Sequence, residues 1–166
     1  MKPLRKIITG MMFGFICHAS WAADEFALLR EEKIGNLLID LPEKEVRKAI
    51  SCKEKRGPDQ LWGADGAYHQ EWAYADCGIT LDMVSDKKQG AKKIASITLF
   101  APSTLNTQRG IRIGSSTQEV MKAYKPYWNK EESDSNQFVA GSIYGGLIFT
   151  HKKKKVNGIF LGATAE

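Results

Sequence analysis

The chain has 166 residues, 43% of them hydrophobic and 26% charged, with a formal net charge of +5. Three of the basic residues, Lys2, Arg5 and Lys6, fall in the first 22 positions, and without that stretch 21 basic residues face 19 acidic ones. Such a near-balance takes away the main support for a nucleic-acid partner, which requires a concentrated basic face, and the remaining length, about 144 residues, suits one compact domain or two small units sharing a core.

Residues 1–22 are predicted to be an export signal. A positive head precedes the mostly apolar run from Ile7 to Cys17, which is too short to span a bilayer, and the small residues Ala19, Ser20, Ala22 and Ala23 follow. Cleavage is expected after Ala22, with Ala23 as the alternative. Ile16 stands before Cys17 where a lipidation box has Gly or Ala, which argues against a lipoprotein. No later run of about 18 apolar residues occurs, so no transmembrane segment is expected beyond the signal. The expected destination is the periplasm, with secretion as the alternative. Cys17 leaves with the signal, and the remaining pair, Cys52 and Cys77, is predicted to form one structural disulfide. Its spacing does not fit a redox pair, and two Cys without suitably spaced His do not make a zinc site.

Further along, Lys33 to Asp40 reads as a strand. A short helix should follow, with Asp40 as N-cap, Pro42 in the first turn, and Val46, Ala49 and Ile50 on one face. Tyr68, Trp72 and Tyr74 share one parity of a half-buried strand, which places His69 toward solvent or the far side of the sheet. Asp76-Cys77-Gly78 forms a turn, Ile79 to Met83 a strand, Asp86 to Lys93 a polar loop and Ile94 to Phe100 another strand. Pro102 to Arg109 is a connection. Ser116 and Glu119 match a capping box that opens a second helix, with Val120, Ala123 and Tyr124 on its apolar face and Pro126 at its end. Phe138 and Val139 begin a strand, Gly145-Gly146 turns, and Leu147 to Phe149 runs on. The four lysines Lys152 to Lys155 read as a solvated hairpin turn, and Val156 to Leu161 completes the sheet.

The two helix openings align without a gap. Ile39, Glu45, Val46, Lys48 and Ala49 match Ile113, Glu119, Val120, Lys122 and Ala123. A repeated sequence unit implies a repeated fold. The expected architecture is therefore α+β: two tandem helix-plus-antiparallel-sheet repeats, residues 23–101 and 102–166, forming one curved sheet with the helices on one face. The other face would then be open.

The chemistry-bearing residues do not assemble into a motif. His69 and His151 belong to different units, no Gly-x-Ser-x-Gly elbow is present, and the Gly63–Gly66 stretch lacks the Lys-Ser/Thr of a phosphate loop. The carboxylates Asp59, Asp65, Asp76, Asp82, Glu131, Glu132 and Asp134 are scattered, with no fixed separation that would suit glycoside cleavage. The sequence thus carries no catalytic, metal or cofactor site, and a hydrolase is a distant alternative. The aromatics Trp62, Tyr68, Tyr127 and Trp128 are the candidate binding residues, because Trp and Tyr bury large areas at low entropic cost. Trp72 and Tyr74 read as core. The polar loop Lys130 to Gln137 is placed to form a rim.

The stretch from Gly110 to Tyr124 reads Gly-Ile-Arg-Ile-Gly-Ser-Ser-Thr-Gln-Glu-Val-Met-Lys-Ala-Tyr. It resembles the strand-turn-helix opening of two exported families, the β-lactamase inhibitor proteins and the small lipoprotein of the outer-membrane assembly machinery. The doubled opening, the chain length and the cysteine pair within one unit are more similar to the inhibitors. This chain departs from them in offering one cysteine pair rather than one per unit, and from the lipoprotein in lacking an acylated Cys. The resemblance implies a non-catalytic protein-binding module, an inhibitor or immunity protein docking another protein on its concave sheet. The alternative it implies is an envelope-assembly or structural role.

Overall fold

Period-two alternation of apolar residues organises the middle and end of the chain into one sheet. The computed structural model describes residues 26–164, so the expected export signal lies outside the described residues. Nine strands are described: β1 (Lys55–Arg56), β2 (Gln60–Leu61), β3 (Tyr68–Tyr74), β4 (Ile79–Ser85), β5 (Lys93–Phe100), β6 (Trp128–Asn129), β7 (Gln137–Ser142), β8 (Gly145–Lys152) and β9 (Lys155–Gly162). Three helices accompany them: α1 (Ala27–Glu31), α2 (Glu43–Ala49) and α3 (Thr117–Tyr124). β3, β4 and β5 form one antiparallel meander and β7, β8 and β9 another. Their last strands pair antiparallel, Ile97 opposite Leu161 and Leu99 opposite Ile159. The open sheet therefore runs β1-β3-β4-β5-β9-β8-β7-β6, with β2 also on β3, and β9 lies at its centre.

One parity of each strand builds the core. Trp72 and Tyr74, Leu81 and Met83, Ile97 and Leu99, Leu147 and Phe149, and Ile159 and Leu161 are at most 1% exposed. They form one cluster with Leu28, Val46, Ile50, Val120 and Tyr124 of the helical segments. At about 1.5–3 kcal/mol for each fully buried large side chain, this cluster is the main favourable term in folding. Trp72 and Tyr74 are core, as their parity predicts.

The helix openings share one contact and differ in capping. Pro42 and Ser116, aligned positions just before α2 and α3, form isolated bridges to the first residues of β5 and β9, Lys93 and Lys155. α3 has the predicted capping box: Ser116 Oγ accepts from the Glu119 amide at 3.2 Å, and Glu119 Oε2 accepts from the Ser116 amide at 2.6 Å. α2 does not use Asp40. Its N-cap is Pro42, with no side-chain cap, and the Glu43 amide donates to the Lys92 carbonyl at 2.8 Å. Asp40 sits two residues too early, at φ 65°, with its carboxylate on Lys93 Nζ at 2.7 Å. Pro42 imposes this, because its ring disfavours a helical conformation at the residue before it.

Two further expectations are corrected. Lys33 to Asp40 is not a strand. Gly35 has φ 58°, and the chain folds back so that Ile34 bridges both Leu37 and Thr107, burying Ile34 and Leu37 together. Gly145 and Gly146 are not the turn but the first residues of β8; Ile143 and Tyr144 make the turn between the paired Ser142 and Gly145. The glycine at 145 answers a packing need, since a Cβ there would stand 2.7 Å from Phe26 Cδ1, just before α1. The lysine turn is as expected: Lys153 and Lys154 have φ 52° and 62°, the double left-handed conformation of a tight hairpin, between the paired Lys152 and Lys155.

Cys52 and Cys77 form a disulfide with Cα atoms 6.2 Å apart, joining the end of the α2 segment to the β3–β4 turn. Among the described residues no helix is long and apolar enough to cross a membrane. The disulfide fits an exported protein.

Candidate functional site

The strand residues of opposite parity lie on the face away from the core. Register sets them in rows: Glu71, Asp82 and Ser96 face one another across β3, β4 and β5, and Ala73, Thr80, Thr98 and Phe160 continue the next row into β9. Most of these side chains are small or polar, and Phe100 at the end of β5 is 37% exposed. The face is therefore half-wet, as alternation in an antiparallel sheet with one covered side dictates.

His69 is on this face yet only 7% exposed. Three neighbours cover it. Trp62 lies flat on its ring, with centroids 3.7 Å apart and planes 6° from parallel. His69 Nδ1 donates to Asp82 Oδ2 at 2.6 Å and Nε2 donates to Asp65 Oδ2 at 2.8 Å. Ionised carboxylates only accept, so both ring nitrogens carry protons and the ring is an imidazolium. Burial opposes that charge, but the hydrogen bonds to Asp65 and Asp82 outweigh it and raise the His69 pKa above its ordinary value. Asp65 is held below the usual carboxylate range by the Ala67 amide and then by His69. The Trp62–Ala67 loop closes on itself, with the Trp62 amide donating to the Ala67 carbonyl at 2.9 Å and Asp65 Oδ1 accepting from the Ala67 amide at 2.9 Å.

Two adjoining hollows of about 470 and 650 Å³ flank this stack. They share Trp62, His69, Asp82 and Ser96 in their walls; Thr80 and Thr98 extend the first and Phe160 the second. As arranged, the cluster clamps the Trp62 loop, with both His69 ring nitrogens engaged by carboxylates. Among the described residues no group of three or more His, Cys, Asp or Glu is placed to hold a metal ion.

The four candidate aromatics do not share one surface. Trp62 lies on the open face. Tyr68 begins β3 on the parity of Trp72, half-buried at the sheet edge beside the exposed Leu61. Tyr127 follows α3 and is covered by Arg109, whose Nη2 donates to the Tyr127 hydroxyl at 3.0 Å with the guanidinium 4.8 Å from the ring centroid. Trp128 stacks on Phe138 at 6.0 Å and lines a groove beside α3, where Ser133 to Gln137 of the expected polar rim also stand. The cluster that sequence reading missed is Asp65–His69–Asp82. Asp65 is four residues before His69, but Asp82 reaches it only because Val84 pairs with His69, which sets Asp82 diagonally across on the same face. Strand register supplies that contact, and alternation alone does not reveal it. No protein-family description, characterised protein or solved structure matches the chain.

Proposed function

We propose that this chain is an exported, non-catalytic module that docks another protein on the open face of its sheet. One observation carries the reading: Trp62 is stacked over His69 between two hollows on a face whose side chains near it are mostly small or polar. A flat aromatic pinned by a buried ion pair has already lost the freedom that binding would remove, so it docks a partner at little further entropic cost. The polar rows Glu71–Asp82–Ser96 and Thr80–Thr98 supply hydrogen bonds around that anchor, the arrangement of an interface core with a polar rim. The site of action is the periplasm. The matching openings of α2 and α3, followed in each case by three antiparallel strands, support descent from a duplicated unit like that of the β-lactamase inhibitor proteins, and with it an inhibitor or immunity role.

Affinity capture from a periplasmic extract, followed by calorimetry with the purified partner, tests this. Trp62→Ala and Ser96→Arg should each weaken a stoichiometric complex by tenfold or more, whereas Lys48→Ala on the helical side should leave it unchanged. A complex equally tight with both open-face variants overturns the assignment of this face. Recovery of an outer-membrane protein instead of a soluble one would replace the inhibitor role with an envelope-assembly role.

A further inference from the structure

On the helical side of the sheet, α3 stands off β7 and β8 and leaves a groove of about 1030 Å³, larger than either hollow of the open face. Val120 and Met121 of α3, Trp128, Phe138 and Phe149 form its apolar wall. Trp128 is stacked 12° from parallel on Phe138, and its indole Nε1 already donates to Ser133 Oγ at 3.2 Å. The apolar wall therefore offers a slot for a hydrocarbon body, and the Trp128 N–H is already engaged.

Around this wall stand five exposed lysines: Lys122 and Lys125 at the end of α3, and Lys152, Lys153 and Lys154 at the β8–β9 turn. Three lysines elsewhere are paired: Lys48 with Glu45, Lys92 with Asp59 and Lys93 with Asp40. None of these five is within ion-pair distance of a carboxylate among the described residues. The one acid among the described groove residues, Asp134, is engaged by the Asn136 and Gln137 amides at 2.6 and 3.0 Å. Lys153 and Lys154 also occupy left-handed positions where Asn and Gly are the favoured residues, so backbone preference does not explain their presence.

We propose that this groove binds a single-chain amphiphile with an anionic headgroup, a long-chain carboxylate, its hydrocarbon along Trp128, Phe138 and Phe149 and its charge among the five lysines. An extended peptide fits less well, because its backbone amides and carbonyls would lie against the apolar stretch formed by Val120, Met121, Trp128, Phe138 and Phe149. The volume is that of small-molecule sites, which are mostly apolar with a few convergent polar groups. This site is on the opposite side of the sheet from the docking face and stands independently of that reading.

The test titrates sodium decanoate, below its micelle concentration, into the isotope-labelled purified protein. The expected result is saturable binding with shifts centred on the Trp128 indole and the Phe138 and Phe149 amides. 1-Decanol, of equal length and no charge, should bind at least tenfold more weakly. Lys122→Glu with Lys152→Glu, both at ordinary backbone conformations, should weaken decanoate at least tenfold, and Met121→Trp should fill the slot and abolish binding. Thermal midpoints report whether each variant is folded, and the lysine variants alone decide the matter if Met121→Trp does not fold. Equal binding of decanoate and decanol, or shifts centred on Trp62, overturns the proposal. So does retention on phosphatidylglycerol vesicles with no response to decanoate, which would assign the lysines to a membrane surface.

Discussion

His69 carries more of the local structure of the open face than its place on a strand suggests. Its imidazolium joins Asp65, in the loop after β2, to Asp82 on β4, and Trp62 stacks on its ring. The pH dependence follows from the raised pKa. A histidine whose folded pKa lies above its unfolded value of 6.5 gives stability that is fully present below pH 6.5 and is lost as pH rises through the folded value. Asp65 works at the other end: its depressed pKa gives stability present above 3.8 and lost as pH falls below that. The His69 contribution is therefore complete in mildly acidic solution and fades in alkaline solution. His69→Gln should lower the thermal midpoint most near pH 6 and progressively less toward pH 9, as read by calorimetry against the native protein. A midpoint difference that grows with pH would show that the ring is buried neutral. The sequence allowed His69 to be placed on the far side of the sheet, but not to be buried there. Burial requires the Trp62 loop to fold back and Asp82 to lie on the diagonal, and both depend on contacts between distant parts of the chain.

At the scale of elements, local patterns are legible where neighbours in sequence are also neighbours in space. The strand parities of Tyr68 to Tyr74 and Ile79 to Met83, the Lys153–Lys154 turn and the Ser116–Glu119 box all depend on residues within a few positions of one another, and all appear as expected. Asp40 and Gly145 depart from their local patterns for the opposite reason. The Lys92 carbonyl reached α2 from more than forty positions away, displacing the need for a cap, and Phe26 beside α1 required a glycine in β8. Lys92 itself was read as part of a polar loop, yet it is 5% exposed and pairs with Asp59 at 2.7 Å. The capping box offers a clean measure of local contribution. Ser116→Ala should destabilise the protein by about 1 kcal/mol, lowering the midpoint by roughly 3 °C for a domain of this size. Glu119→Ala removes the reciprocal bond, so the double variant should lose less than the sum of the two single losses. Strictly additive losses would mean that the two side chains act separately, contrary to their shared geometry.

The whole molecule is held as one cooperative body by a seam of long-range contacts. β5 and β9 carry the two meanders across the centre of the sheet. Glu32, 1% exposed just after α1, accepts from Arg109 Nη1 at 2.6 Å, the Gln108 amide at 2.7 Å, the Tyr124 hydroxyl at 3.0 Å and the adjacent Lys33 amide at 3.2 Å, tying the start of the described chain to α3. A buried carboxylate is costly to leave unpaired, so the three long-range donors should be lost together when this seam opens. The Cys52–Cys77 bridge lies entirely within the first meander and its helix, closing a separation of 25 residues. In the chain-entropy account a loop of that length contributes about 3.5 kcal/mol, chiefly by restricting the unfolded chain, a large share of the 5–15 kcal/mol typical of a single domain. Because the seam couples the halves, that loss should be felt everywhere. Cys52→Ser with Cys77→Ser should lower the unfolding free energy by about 3.5 kcal/mol while leaving a single denaturant transition, with amide protection in β7 to β9 falling as far as in β3 to β5. Protection that falls only in β3 to β5, or two separate transitions, would show that the two meanders unfold independently and that the β5–β9 pairing and the Glu32 contacts are too weak to join them.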